Sequence, residues 1–319
     1  MRVLVTGVAG QVGARLAELL LEGGHRVLGL DSLDAEEPDA MQMARLERAQ
    51  TDKHFEFEQA DLLDAGRLDD LCDTLKPEAV VHLATRRDLD WAERNPQASL
   101  RLHAEGAVAV MEACNRHRVG QLIFRSSHHV YGGSRHYPLV ESDAADRPLS
   151  ITGAALRSAE LALHALALAS PVSVTVARIF CVYGPGQARS GLVPILMDAA
   201  ERRVSLPVSG DGTASRDLVY VDDVVTGLLR MLDRPAPWRI LNLGSGLSTT
   251  VAQVAEQVAW LSDVHFKMKR GPIRSGDLPH CWADLAAAHG AVGYKPVVIL
   301  EDGLRRTLEW FKKRPEIFR

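Results

Sequence analysis

The stretch "RVLVTGVAGQVGARLAELLLEGG" (residues 2–24) decides the fold. "RVLVTG" (2–7) is a short run rich in β-branched and leucine residues, and "ARLAELLLEGG" (14–24) carries helical periodicity up to a glycine stop. Between them, "TGVAGQVG" (6–13) spaces Gly7, Gly10 and Gly13 three apart, with Gln11 and Val12 between the last two. Strand, tight turn and helix follow one another. At such a turn glycine's backbone freedom lets a diphosphate approach the helix N-terminus. The next strand, "HRVLGLD" (25–31), ends on Asp31, where a carboxylate can accept hydrogen bonds from a ribose diol. Asp31 would repel a 2′-phosphate and no arginine follows it immediately, so NAD rather than NADP is the expected cofactor.

Further along, "FEFEQADL" (55–62), "EAVVHLA" (78–84), "QLIFRSS" (121–127) and "SVTVARI" (173–179) read as more strands, with helical stretches between them, notably Pro96–His117 and Ala154–Ala169. Strands alternating with helices imply parallel order and right-handed crossovers, and near-continuous apolar strands imply a sheet covered on both faces. The class is α/β, a doubly wound parallel sheet of the Rossmann type. After about residue 180 the rhythm changes to glycine- and proline-rich loops such as "VYGPGQARSG" and "VSGDGTASRD", which points to a smaller C-terminal substrate lobe. "RILNLGSG" (239–246) looks like one more strand returning to the large sheet. The expected division is a dinucleotide-binding domain over 1–178, with 218–246 returning to it, and a lobe built from 179–217 and 247–319. The charged segment 34–53 reads as an exposed loop and helix.

A chain of 319 residues with 46% hydrophobic side chains can bury a substantial core. A net charge of −4 and a pI near 6.3 give no general attraction to nucleic acid or to an anionic membrane, which leaves small molecules or protein as partners. Cys72, Cys114, Cys181 and Cys281 lack the close spacing of a zinc site or redox pair and are expected as reduced, buried thiols. Met1 leads straight into a strand, and the longest apolar run, around Leu161–Ala169, is short and contains His164. No export signal or membrane span is visible, so a cytoplasmic protein is expected.

The glycine spacing, "DL" at Asp61–Leu62, "HLA" at His82–Ala84, "SSHHVYG" at 126–132, "VYGPGQ" at 182–187 and "GDGTASRDLVYVDDV" at 210–224 together resemble the extended short-chain dehydrogenase/reductases. The likeness covers nearly the whole chain, and within that family it is to the NAD-dependent nucleotide-sugar epimerases and dehydratases. The resemblance implies that Asp61 and Leu62 lie at the adenine and that Leu83 and Ala84 line the cofactor. It also implies a nucleotide-sugar diphosphate held by Arg216 and by Arg274 with Asp277. A guanidinium fork suits that role, since it matches phosphate oxygens and stays charged. The alternative is that each arginine is a surface residue or pairs with Asp211, Asp217 or Asp277.

The resemblance further predicts a Tyr-x-x-x-Lys pair after Pro148, and here the chain departs from the family. In "RPLSITGAALRSAE" (147–160) the frame set by Pro148 and Glu160 puts Thr152 in the tyrosine's place and Leu156 in the lysine's. A tyrosine, with an ordinary pKa of about 10, becomes a base at neutral pH only beside a lysine and the cationic nicotinamide. Threonine cannot be tuned that far. Arg157 is a poor substitute, because one helical step turns a side chain about 100° away. "N-V-x-G-T" has become His103-Ala104-Glu105-Gly106-Ala107, and the asparagine of "N-V-Y-G" has become Cys181.

Ser127 occupies the position of the substrate-bonding Ser/Thr of the family, and His128 and His129 the positions of the Asp–Glu pair of the sugar dehydratases. Histidine suits proton transfer near pH 7. Strand alternation would put His129 on Ser127's side, and a curl at the strand end would reverse that. The plainer alternative is two histidines at a loop. A metal is not expected, since adjacent strand residues diverge and no third ligand is evident. The functional expectation is an NAD-dependent epimerase- or dehydratase-type enzyme with Ser127, His128, His129 and Thr152 at its catalytic centre; the alternative is an inert binder of NAD and nucleotide sugar. Helices 96–117 and 152–169 are those through which the family dimerises, so a homodimer is expected, with a heterodimer open.

Overall fold

The computed structural model describes residues 1–33, 39–86, 88–134, 136–264, 268–271, 276 and 278–314. Six strands follow the order read from the sequence: β1 (Arg2–Thr6), β2 (Arg26–Asp31), β3 (Phe55–Gln59), β4 (Ala79–His82), β5 (Gln121–Ser127) and β6 (Ser173–Ile179). The strand Trp238–Leu243 joins them to give a seven-stranded sheet, ordered β3-β2-β1-β4-β5-β6 and then Trp238–Leu243, with every pairing parallel. Val3 stands opposite Val27 on one side and Ala79 on the other, so the order reverses at β1. In a sheet wound this way ligands bind outside the carboxyl ends at the switch point, which here lies beyond Thr6 and His82.

Side-chain alternation along the strands divides the interior into two cores. Val3, Val5, Val27, Val81, Ile123 and Ala177 pack on one face of the sheet, and Leu4, Leu28, Val80, Leu122, Phe124 and Val176 on the other. Burial on both faces explains why these strands read as continuous apolar runs rather than as alternating ones.

Beyond β6 the pairing is local. Cys181–Tyr183 runs parallel to Leu218–Tyr220, Leu206–Ser209 parallel to Met268–Gly271, and Ser215–Arg216 antiparallel to Thr249–Thr250. The returning segment first lays the helix Val221–Leu232 against β5 and β6 and then adds Trp238–Leu243 to the sheet edge. Four helices here, Leu192–Glu201, Val221–Leu232, Val251–Ser262 and Leu300–Lys312, run for 10 to 13 residues, and a shorter one spans Ala286–Val292. Among the described residues no helix is long and apolar enough to cross a membrane. The segment expected as an exposed loop and helix contains the helix Asp39–Leu46, in which Met41, Gln42, Arg45 and Leu46 are buried. Its methionine and leucine point inward at helical spacing, a pattern masked in the sequence by the surrounding charge.

Candidate functional site

The turn after β1 is built by glycine at three places for three reasons. Gly7 has φ of +71°, donates its N–H to the Leu30 carbonyl at 2.8 Å, and would put a Cβ 2.5 Å from the Ala84 nitrogen. A Cβ at Gly13 would fall 2.2 Å from the Gly7 carbonyl oxygen, so only glycine lets the helix Gln11–Glu22 seat on the turn. A Cβ at Gly10 would meet only the Gly7 oxygen, at 3.2 Å, and beyond it is open space. That space, over the N-terminus of the helix, fits a diphosphate. The Asp31 carboxylate is set by two backbone donors, the Ala9 N–H at 2.8 Å and the Leu33 N–H at 3.0 Å.

Of the other residues assigned to the cofactor, Val12 is core. Gln11 ties the turn to the opposite loop by donating to the Gly184 and Pro185 carbonyls at 3.1 Å, and its Oε1 is buried with no hydrogen-bond partner among the described residues. Asp61 is exposed, and Leu62 is buried against Gly106. Leu83 is buried, and Ala84 donates its N–H to Thr6 Oγ1 at 3.5 Å. That hydroxyl also meets His82 Nδ1 at 2.6 Å, and burial pushes the His82 imidazole down to about 3, so it is neutral. Sequence reasoning missed Arg45. Its guanidinium donates to the Ala9 carbonyl at 3.0 Å and the Gly186 carbonyl at 2.7 Å, binding the glycine turn to the far loop. No motif marks it; only the inward face of Asp39–Leu46 does.

The helix Ile151–Ala167 starts at Ser150, whose side chain accepts the Gly153 N–H at 3.1 Å. A Cβ at Gly153 would lie 2.5 Å from the His129 carbonyl, so glycine brings the helix onto the turn after β5. Thr152 is buried, and its Oγ1 has no hydrogen-bond partner among the described residues. Leu156 is 2% exposed and belongs to the apolar cluster that also holds Val130, Tyr131 and Phe180. Arg157 is turned away and held by the Ala145 carbonyl and Glu160. Below lies a buried ionic network: Glu160 accepts from Ser126 Oγ at 2.6 Å and from Arg178 at 2.7 and 3.0 Å, and the Arg178 guanidinium lies over the Tyr131 ring. This network, not a lysine, stiffens the helix against β5 and β6.

Strand alternation stops at Ser127, because residues 128–131 turn into a 3-10 helix that Ser127 caps. Ser127 Oγ is 3.4 Å from His128 Nδ1 and accepts the His129 N–H at 3.4 Å. His128 is buried, its ring stacked on Phe180 and its Nε2 3.9 Å from Cys181 Sγ; burial holds the imidazole well below its ordinary pKa. His129 is half-buried with its ring 4.2 Å from that of His128. The curl thus turns His128 inward and leaves His129 the more exposed. His103 lies in a π-helical turn, Arg101–Glu105, that breaks the helical stretch foreseen over 96–117. Its Nδ1 meets the Ser99 carbonyl at 2.8 Å and its Nε2 accepts the Arg86 N–H at 3.3 Å, so both ring nitrogens are taken.

Arg216 lies on the short strand after the "GDG" loop, close enough to His128, Cys181 and Cys281 to bias all three electrostatically. Asp217 is no partner for it: its carboxylate is buried and accepts the N–H groups of Ser245, Gly246 and Ala283 and the Ser245 hydroxyl. Asp211 binds Thr213. Arg274 and Asp277 lie outside the described residues, as does Arg87. Arg86 stacks on Trp91, and Asp88 caps the helix Leu89–Arg94. Cys72, Cys114 and Cys281 are free, buried thiols as expected. Cys181 is only half-buried, and the fold brings it to Cys281 and His128 despite their distance in sequence.

The arrangement is a glycine-lined turn and a backbone-held carboxylate at the switch point, with a hydroxyl and two imidazoles at the end of β5. Proteins of similar sequence and fold are known. A UDP-glucuronate 4-epimerase of Thermodesulfobacterium geofontis is 30% identical over 318 residues, covering 99% of this chain and 98% of that protein. The crystal structure of UDP-glucose 4-epimerase from Thermotoga maritima, with UDP-glucose, matches with a TM-score of 0.91 at 29% identity, covering 99% of this chain and 100% of the other. That of UDP-glucuronic acid 4-epimerase from Bacillus cereus, with UDP-glucuronic acid and NAD, gives 0.92 at 25% identity over 98% and 99%. The sequence model of the NAD dependent epimerase/dehydratase family matches residues 3–244. With its open glycine seat and its placed Asp31, and with NAD as cofactor, the chain belongs to the NAD-dependent epimerase/dehydratase family.

Proposed function

We propose that the protein acts on a nucleotide sugar, in the first instance a UDP-linked hexose or hexuronate, with Ser127 and His129 handling the proton that the Tyr–Lys pair handles in other members of the family. Bound NAD supplies the acceptor and donor for the hydride of a carbinol carbon. The substrate hydroxyl proton must then pass to the protein. Ser127 Oγ bonds that hydroxyl, and the His129 imidazole, the more exposed of the two, takes the proton. His128 orients Ser127 through its Nδ1. General acid–base transfer of this kind contributes about 10² to 10⁴ in rate. Arg216 faces the diphosphate, and we assign residues 179–217 and 247–319 to the lobe that carries the sugar nucleotide.

The observation that carries this reading is Ser127, a half-exposed hydroxyl with imidazole groups on both following residues. One observation favours a second reading, a binder without turnover: Leu156 fills the lysine's place with core. The experiment follows nicotinamide absorbance of the NAD-loaded protein as UDP-glucose and UDP-glucuronate, then dTDP-, GDP- and CDP-sugars, are added. Appearance of NADH or of a C4 epimer supports the enzyme, and Ser127→Ala or His129→Gln then abolishes it with NAD affinity intact. A sugar nucleotide that binds by calorimetry yet yields neither product establishes the binder. We also propose a homodimer, because Leu100, Leu161 and Leu168, on the helices used for pairing in the family, are 43, 54 and 77% exposed; light scattering tests it.

A further inference from the structure

Three soft ligand atoms converge beside Ser127. One ring nitrogen of His128 and the sulfurs of Cys181 and Cys281 all lie within 4.8 Å of one another, and His128 Nε2 is 3.9 Å from Cys181 Sγ. Metal bonds of about 2.0 Å to nitrogen and 2.3 Å to sulfur in a tetrahedron put neighbouring ligand atoms roughly 3.5–3.8 Å apart. A contraction of a few tenths of an ångström for the nitrogen–sulfur pair therefore suffices.

We propose that His128 Nε2, Cys181 Sγ and Cys281 Sγ bind a thiophilic divalent cation of the zinc type, leaving the fourth tetrahedral position to water or to an oxygen of the substrate. The imidazole is oriented for it. Its Nδ1 faces Ser127 Oγ at 3.4 Å and its Nε2 faces Cys181 Sγ, the disposition of a ligating histidine with an outer contact on its other nitrogen, and a metal would displace any ring hydrogen bond to the Ile179 backbone made through Nε2. The frame around it is rigid. The His128 ring is stacked on Phe180, Cys181 N–H bonds to the Asp217 carbonyl at 3.0 Å, and Cys281 is flanked by the Ser215–Pro279 and Leu139–Trp282 backbone hydrogen bonds. The two other cysteines, Cys72 and Cys114, are buried in the core packed by the helices Ala65–Leu75 and Gly106–Arg116 and take no part. Two thiolates balance the charge of the cation, so Arg216 remains the positive group facing an anionic ligand. Binding requires both sulfurs as thiolates, and the displaced thiol protons, up to two per metal, pass to solvent.

The test uses the full chain, reduced and stripped of metal, and reads occupancy without turnover, so it stands or falls separately from the proposed activity. Titration with Co²⁺ is expected to give one equivalent of thiolate-to-cobalt charge transfer with tetrahedral d–d absorbance, discharged by Zn²⁺. Cys181→Ser and Cys281→Ser lose the signal, Cys72→Ser keeps it, and Ser127→Ala weakens affinity about 10- to 100-fold. Since the cysteine variants could misfold, alkylation of Cys181 in the wild type is timed with and without Zn²⁺, and strong protection is expected. No cobalt spectrum at one equivalent, or equal alkylation rates with and without Zn²⁺, overturns the proposal.

Discussion

Replacing Leu156 by lysine tests whether its position is a sealed part of the core or an opening onto the cofactor. Leu156 is 2% exposed and lies in the apolar cluster between the helix Ile151–Ala167 and the sheet. A lysine there has no carboxylate within its own cluster, since Glu160 is already bound by Ser126, Arg157 and Arg178. Burial drives a lysine of ordinary pKa about 10.4 to roughly 7 or below, so it folds neutral while the unfolded chain stays protonated. The unfolded state then binds the extra proton, and stability relative to wild type rises with pH. At about 1.36 kcal/mol per unit, the ionisation cost is about 4–5 kcal/mol at pH 7 and about 2 kcal/mol at pH 9. Leu156→Met, which keeps the volume, costs less than about 1.5 kcal/mol at either pH. Urea unfolding of both variants at the two pH values is the assay. A lysine variant within about 1 kcal/mol of the methionine variant at pH 7, with no pH slope, would refute the apolar plug and with it the argument that the usual base cannot form here.

Three further outcomes follow from the same packing. His82, buried and held at about 3, is protonated only on unfolding as the pH falls below about 6.5, so it alone removes about 2 kcal/mol of stability between pH 7 and 5; His82→Gln should flatten that part of the acid slope, and an unchanged slope contradicts it. Gly10→Ala should fold normally yet bind NAD at least about tenfold more weakly, because its methyl enters the open seat, whereas Gly290→Ala, with nothing within 4 Å of its Cβ in the helix Ala286–Val292, should add about 0.5–1 kcal/mol; calorimetry and thermal melts separate the two. Glu160→Gln leaves Arg178, 1% exposed, without its carboxylate, and should cost about 3–5 kcal/mol in denaturant titration; a cost under about 1 kcal/mol would show that the network is dispensable.

The sheet was legible because its strands are double-faced. "QLIFRSS" and "SVTVARI" are apolar enough to be bounded to the residue, as they are in the structure. The glycine turn was legible because backbone sterics leave little choice at Gly7 and Gly13. Local periodicity failed where tertiary contacts decide. It left open whether the strand end curls, which the 3-10 turn at His128–Tyr131 decides, and it could not see the π turn at His103. Arg45 hides in a helix of eight residues whose charge reads as surface. Cys181 and Cys281 meet only because the strand Cys181–Tyr183 and the stretch near Pro279 both pack beside Ser215–Arg216. No spacing rule reaches across that distance.

The strand Trp238–Leu243 is the outermost of the sheet and the last of its strands to be synthesised. Until it arrives, β6 offers an unpaired edge with the sequence "SVTVARI", β-branched at Val174, Thr175, Val176 and Ile179, free of proline, and a ready template for another chain. At about 5–20 residues per second the ribosome needs roughly 3–12 seconds to add residues 180–237. During that interval the nascent chain carries an adhesive border that the finished protein lacks. The edge at the other side is protected from the start, since β3 alternates Glu56 and Glu58 with its phenylalanines. Production of this protein is thus most vulnerable to self-association during translation, on one side of the sheet, and a chain ending before residue 238 would keep that border permanently.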